Sequence, residues 1–465
     1  MNRTDEFLNN LWQVMEKEIP DEVMKRAKLA LLDYIGVTFA GLSVQTEKEN
    51  RLLDEFCVEK GGVYPVGMNK PVGMNEAVFL NGLNAHALDF DDGTNAGIIH
   101  LGSPIFSVLL ALAQKYDIDS ERLLKAAVFG YEASFTMART IQPAHKLKGY
   151  HATGTCGVLG IAVAASYALG LGREEMKNVF SVAAGSASGS LKVLEDGSDL
   201  KPYNVAKSAL SGLTAFQMAR AGFVGADDAL SGIAGYLSQM FGDDKVEFIP
   251  MLLDGTYAIQ KAYIKPYAAC RYTHPSIDIA AELRGNGFVD AEDIDSVNIR
   301  TYSLAVKKHD HTDIRGAASA KMSIPYNFAV TYLTGKTGMD AFTDEVLNDS
   351  EVLALTRKVS VAEDDYMTEV FPGKTIATVE LKMKDGTVQK GISELPKGEP
   401  ENPLTDEEAI GKFTSLALFG GKTCEEADKH PFGLTALISR SNDNHDNQVR
   451  NNIVSVGQMS KQSRF

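Results

Sequence analysis

The 465 residues are enough for about two or three domains and a sizeable core, and 44% hydrophobic with 23% charged residues is ordinary globular composition. A formal net charge of −15 argues against nucleic acid and against an anionic membrane surface as partners, and requires any anionic small substrate to meet locally clustered Lys, Arg or His. Cys57, Cys156, Cys270 and Cys424 show no CxxC spacing, which argues against a zinc site or a disulfide framework and fits a reducing cytoplasm.

Thr4 to Ile19 reads as a first helix, with Thr4 as N-cap and Leu8, Leu11, Trp12 and Met15 on one face. The start, MNRTDEFLNNLWQ, has acidic residues and no apolar run, so no secretory signal is expected. Pro20 opens a second helix whose stripe is Val23, Ala27, Ala30, Leu31, Tyr34 and Ile35, with Gly36 and Gly41 allowing close packing and a stop. Leu52 to Val58 is apolar at helical spacing, and Gly61-Gly62 with Tyr64-Pro65-Val66-Gly67 marks a loop. Helices are expected over Asn75 to Leu88, Pro104 to Gln114 and Leu123 to Ala138. Gln142 to Gly154 is polar and irregular. His151 to Gly172 carries no Asp, Glu, Lys or Arg and is long enough to span a bilayer. Its many small and hydroxyl residues favour a buried helix instead. Further helices follow from Glu174 to Ala184 and from Val205 to Ala221, separated by the Ser- and Gly-rich piece Ser186 to Gly197.

Near residue 260 the pattern changes. Tyr263 to Tyr267 is extended before and after Pro266. Ser276 to Arg284 and Tyr326 to Leu333 are helical, while Ser296 to Tyr302 alternates as a strand and Val359 to Val361 forms a short one. Thr375 to Met383 meets Lys384-Asp385-Gly386, a hairpin turn, with a return strand from Thr387. Pro396 to Thr405 links back to a helix over Asp406 to Ala417, and the chain is polar from Ser439 onward. The fold class is therefore mainly α with an α+β insertion: 1–260 helical, 261–400 α+β, and 401–465 returning to the helical part.

Asn84 to Pro104 packs His86, Asp89, Asp91, Asp92 and His100 into one loop between helices, the material of proton transfer. Asp91, Asp92 and Thr94 also suit helix capping, and His86 a core position. Two aspartates in a loop are commoner as caps than as metal ligands, so no metal is expected. His151 stands at a helix N-terminus, where its protonated form is disfavoured. Lys201 and Lys207 flank a loop-to-helix junction suited to clamping a carboxylate. Lys265 to Pro275 gathers Lys265, Cys270, Arg271 and His274 at the change of domain character. No GxxxxGK(S/T), GxGxxG after a strand, GxSxG elbow or HExxH is present; Gly185 to Gly189 has the elbow's outer glycines but no strand before it.

Six motifs in order resemble the MmgE/PrpD family over nearly the whole chain: His86-Ala-Leu-Asp-Phe-Asp-Asp92 with His100, Gly149-Tyr-His151, Lys201-Pro202 with Ala206-Lys207, Lys265-Pro-Tyr with Thr273-His274, Ser323-Ile-Pro-Tyr326, and Asn402-Pro-Leu-Thr405. Members include 2-methylcitrate dehydratase, cis-aconitate decarboxylase and iminodisuccinate epimerase. The resemblance implies a large helical domain built from both chain ends, a smaller α+β lid, a homodimer, an active site between domain and lid, and no metal or organic cofactor. It assigns Asp89, His100, His151, Lys201, Lys265 and Tyr326 to catalysis, with Thr94, Lys207, Cys270, Arg271 and His274 at the substrate. The substrate class it implies is a small di- or tricarboxylate, with dehydration ahead of epimerisation and decarboxylation. Three features depart from the family pattern: Asp-Asp-Gly-Thr where Asp-Asp-Thr is usual, Leu101 after His100 where proline is frequent, and Cys270 where the decarboxylase has a histidine. The last speaks against decarboxylation.

Overall fold

The computed structural model describes residues 2–56, 61–194, 198, 200–423 and 426. The chain divides into two compact units. One takes in Met1–Val193, Leu200–Ala262 and Thr405–Phe465, the other Leu194–Asp199 and Tyr263–Leu404. The fold is mainly helical, with a mixed four-stranded sheet in the second unit. Cys156 and Cys270 are free and buried. Cys57, Val58, Asp199, Cys424 and the polar stretch from Ser439 lie outside the described residues.

Apolar stripes at helical spacing build the first unit. Arg3–Met15 buries Phe7, Leu8, Leu11 and Val14, and its N-cap is Asn2, which accepts from the Asp5 amide at 2.7 Å. Thr4, expected in that role, is buried inside the helix with its hydroxyl 3.0 Å from Asp228 Oδ1. The expected stop at Gly41 does not occur: Asp21–Glu55 runs on for 35 residues. Gly41 serves close approach, since a Cβ there would lie 2.0 Å from the Asn84 carbonyl oxygen. By length and composition this helix could cross a membrane, yet 72% of its apolar window is buried inside the fold. The uncharged stretch after His151 is two buried helices, Ala152–Thr155 and Gly157–Ala168, meeting at Cys156.

Met74–His86 is the helix that positions the site. Gly41 brings Asp21–Glu55 against one side of it. On the other, a Cβ on Gly82 would lie 2.8 Å from Ala206 Cα in the helix Lys201–Arg220. The helix that ends at His86 and the one that begins at Lys201 thus touch backbone to backbone. The returning helix Asp406–Phe419, started by a Thr405–Glu408 capping box, packs on Asp21–Glu55. Its Lys412 reaches Asp33 Oδ1 at 2.5 Å and the Phe90 carbonyl at 2.8 Å, with the ammonium 4.0 Å from the Phe90 ring centre.

His145, off the site, gives a pH test of this packing. Its ring is fully buried, stacks on Tyr150 at 5.2 Å, and places Nε2 3.0 Å from Thr155 Oγ1. Burial pushes its pKa down from 6.5 to about 4. Unfolding then takes up a proton, so stability is lost as pH falls from 6.5 toward about 4, by roughly 3 kcal/mol for this group. His145→Gln is expected to flatten that fall in urea unfolding; an unchanged slope would mean the imidazole is charged in the fold.

In the second unit the strand order is β2-β1-β3-β4. β1 (Ile294–Thr301) runs parallel to β2 (Val359–Glu363) and antiparallel to β3 (Ala377–Met383), and β3 pairs antiparallel with β4 (Val388–Ser393). Gly386, at φ +89°, makes the β3–β4 turn. His274–Gly287 packs on β3, β4 and the helix Ile324–Thr334.

Candidate active site

In the first unit the chain leaves the Met74–His86 helix, crosses a loop, and re-enters a helix at Gly102–Tyr116. The loop folds its carboxylates inward: Asp89, Asp91 and Asp92 are 6%, 1% and 3% exposed. Buried carboxylates need partners. Asp92 accepts from the Gly102 amide at 2.8 Å and from the Tyr131 hydroxyl at 2.6 Å, so it does cap the following helix. Asp91 does not cap it. Its Oδ1 lies 2.8 Å from His86 Nδ1, and its Oδ2 lies 2.6 Å from Ser103 Oγ and 3.2 Å from His100 Nδ1. Asp89 adopts a left-handed backbone, φ 53°, which a short polar side chain tolerates. That turn places its Oδ1 2.7 Å from Lys201 Nζ and 3.8 Å from His100 Nε2.

The imidazoles form a row. The His86 ring centre is 4.4 Å from that of His100 and 6.3 Å from that of His151. His100 Nδ1 faces two acceptors, the Asp92 carbonyl at 2.8 Å and Asp91, so Nδ1 carries the hydrogen and Nε2 holds the lone pair. His86 likewise donates from Nδ1 to Asp91. Its Nε2, and Nδ1 of His151, are buried without a hydrogen-bond partner. The Thr153 hydroxyl accepts from the His100 amide at 3.1 Å. Thr94 accepts from the Gly97 amide at 3.0 Å and shapes the loop. Lys207 is half-buried, its ammonium 5.9 Å from the Tyr203 ring centre.

Electrostatics separates the groups. Burial lowers the His86 pKa to about 4, with Asp91 opposing and His100 and Lys201 adding to the shift. Burial first, then Lys201, holds His151 well below its ordinary value, so it is a neutral donor or acceptor. Burial opposes ionisation of Asp91, but His100 and His86 outweigh it and keep that carboxyl well below the usual range. Asp92 goes the other way, to about 6, because burial wins over the Tyr131 and Gly102 hydrogen bonds.

One donor atom from each of His86, Asp89, Asp91 and His100 falls within 4.8 Å of the others. The spacing suits a metal, but the chemistry around it does not. The Lys201 ammonium holds Asp89, and Asp91 already receives hydrogens from His86 and Ser103 and lies 3.2 Å from His100 Nδ1. A divalent cation would have to displace these donors and sit beside a lysine.

In the second unit Lys265 is 1% exposed, and the Cys270 thiol lies 3.6 Å from His309 Nε2. His309 Nδ1 is 2.7 Å from the Lys307 carbonyl, which fixes the lone pair on the nitrogen facing the thiol. Arg271 is committed within the fold: it pairs with Glu399 at 2.6 Å and reaches His274 Nδ1 at 2.7 Å and the Lys397 carbonyl at 3.1 Å. His274 Nε2 faces the Ala269 carbonyl at 3.2 Å. The Tyr326 hydroxyl donates to the Ala341 carbonyl at 2.8 Å. Sequence reasoning named His86 and Asp91 in the loop but left them to a core and a capping role, and it did not name His309. For His86 and Asp91 the signal was present, an imidazole and a carboxylate five residues apart in one loop. Nothing in the sequence ties His309 to Cys270, 39 positions away.

Residues 11–249 match the family model of the MmgE/PrpD N-terminal domain, and residues 267–429 that of the MmgE/PrpD C-terminal domain. Among curated proteins, the chain is 25% identical over 442 residues to the cis-aconitate decarboxylase-like protein oryM of Aspergillus oryzae, covering 90% of each chain. It is 23% identical over 429 residues to cis-aconitate decarboxylase of Homo sapiens, covering 89% of this chain and 87% of that one. To 2-methylcitrate dehydratase of Escherichia coli O157:H7 it is 25% identical over 419 residues, covering 83% and 84%.

Proposed function

The chain belongs to the MmgE/PrpD family, and from that premise we propose that it is a metal- and cofactor-independent lyase that removes water from a small di- or tricarboxylate, in the manner of 2-methylcitrate dehydratase. The observation that carries the reading is the grouping of one half-buried ammonium, one buried carboxylate and three imidazoles: Lys201 on Asp89, with His100, His86 and His151 beside them. Abstraction of a proton next to a carboxylate builds negative charge on that carboxylate. Fixed cations and neutral hydrogen-bond donors in a dry site stabilise it.

Lys201 binds the substrate carboxylate that becomes the enediolate, and His151, held neutral, hydrogen-bonds it. His100 Nε2 takes the proton from carbon. Collapse of the enediolate breaks the carbon–oxygen bond of the neighbouring hydroxyl group, which takes the proton carried by His100 and leaves as water, returning the imidazole to its neutral form. Asp89 holds Lys201 in place. By resemblance, Lys265, Cys270 and Tyr326 serve the substrate as well, with Thr94, Lys207, Arg271 and His274 in secondary contacts. A homodimer in a reducing cytoplasm completes the reading.

Decarboxylation is the second reading, favoured by the names of several relatives and disfavoured by Cys270. Epimerisation and a non-catalytic carboxylate binder are the remaining alternatives. Proton NMR in D₂O with 2-methylcitrate, citrate, cis-aconitate and iminodisuccinate separates them. Loss of water, loss of carbon dioxide and bare deuterium exchange give distinct spectra. Turnover should survive exhaustive chelation. A panel left unchanged sinks the reaction class.

A further inference from the structure

Asp91 meets three side chains, those of His86, Ser103 and His100, and the mechanism above gives it no part. Its two oxygens are shared: Oδ1 takes the His86 Nδ1 hydrogen, while Oδ2 takes the Ser103 hydrogen and lies 3.2 Å from His100 Nδ1. A carboxylate that only capped a helix would face backbone amides, as Asp92 does. Asp91 instead faces two imidazoles from behind, on the edge opposite the lone pair of each.

We propose that Asp91 is a positioning residue for proton transfer: it stabilises the imidazolium that His100 becomes on accepting a proton at Nε2, while His86, donating to the other oxygen, fixes the carboxylate in the rotamer that faces His100. This rests on the reading of His100 as the base. Among the described residues, no other anion stands behind His100 to take that role. On the Nε2 side stand Asp89, 3.8 Å away, and Lys201, which neutralises it. His86 and His151 are neutral by burial. Thr153 meets only the backbone amide, and the Asp92 carboxylate is turned to Tyr131 and Gly102. The Asp92 carbonyl at 2.8 Å helps to fix the tautomer but brings no charge.

The test follows the His100 ring by NMR of the full chain labelled with ¹⁵N-histidine, its signal identified by its loss in His100→Asn. In Asp91→Asn the pH at which the ring gains its second proton should fall by about one unit or more, because the anion 3.2 Å from Nδ1 is lost. With the substrate that the panel identifies, kcat should fall about 100-fold or more while KM stays within about threefold. Ser103→Ala should move the same midpoint the opposite way, upward, since it removes a competing donor from Oδ2 and leaves the charge. A structural role alone would move neither midpoint. An unchanged His100 midpoint in Asp91→Asn overturns the proposal. If that variant does not fold, the absence of an upward shift in Ser103→Ala overturns it instead. The titration needs no substrate, so a failure of the reaction class stays distinguishable from a failure of this role.

Discussion

Lys201→Met is expected to lower kcat/KM by about three orders of magnitude, measured by steady-state kinetics on whichever carboxylate the NMR panel identifies. Two losses add. The substrate carboxylate loses its cation, and Asp89, buried and 2.7 Å from Nζ, loses the charge that makes its ionised form tolerable there. Breaking a buried pair from one side costs about 3–5 kcal/mol, and each 1.4 kcal/mol is a factor of about ten. Lys201→Arg keeps the charge but spreads it over a planar fork, so it should recover only part of the rate. A loss of less than about tenfold in the methionine variant would remove Lys201 from the reacting centre.

Gly41→Ala is expected to cost about 3 kcal/mol of stability in urea unfolding, at the upper end for overpacking. The added methyl would sit 2.0 Å from a backbone oxygen, that of Asn84, and a backbone atom has no rotamer by which to escape. The helix Met74–His86 has to move, and Gly82 against Ala206 leaves it no room on the far side. Since that helix ends at His86, activity should fall together with stability. A variant of normal stability and rate would show that the two helices are less tightly apposed than described.

The helical part was legible because its apolar residues recur at the helix period. The hairpin was legible because Asp385-Gly386 lies between alternating segments. Gly41 was misjudged because a glycine in a helix has two readings, a stop or a contact, and only the partner helix decides between them. Thr4 was misplaced as a cap for a similar reason, as its hydroxyl answers to Asp228 far along the chain. In the site, chain proximity identified the loop but not its wiring. Asp91 and Asp92 are adjacent and chemically identical, and one caps while the other faces histidines. That division follows from their opposite directions off the loop, which tertiary contacts with Tyr131 and Ser103 fix. Cys270 and His309 were beyond reach, because their approach depends on how two irregular segments fold over each other.

The grip of Lys412 on the Phe90 carbonyl bears on how the molecule comes into being. The lysine is separated from that carbonyl by 322 positions, and Phe90 stands between Asp89 and Asp91. A chain emerging from the ribosome therefore exposes the loop around Phe90 early and braces it only after the whole second unit has been made. Closing so long a loop costs little more entropy than closing a shorter one, but it makes folding slow and non-local. Until the helix Asp406–Phe419 docks, Asp33 waits without the ammonium that meets it in the finished fold. The final form of the loop thus waits for the helix Asp406–Phe419, and a nascent chain that has made everything up to residue 404 has the loop's side chains without the brace that holds them in place.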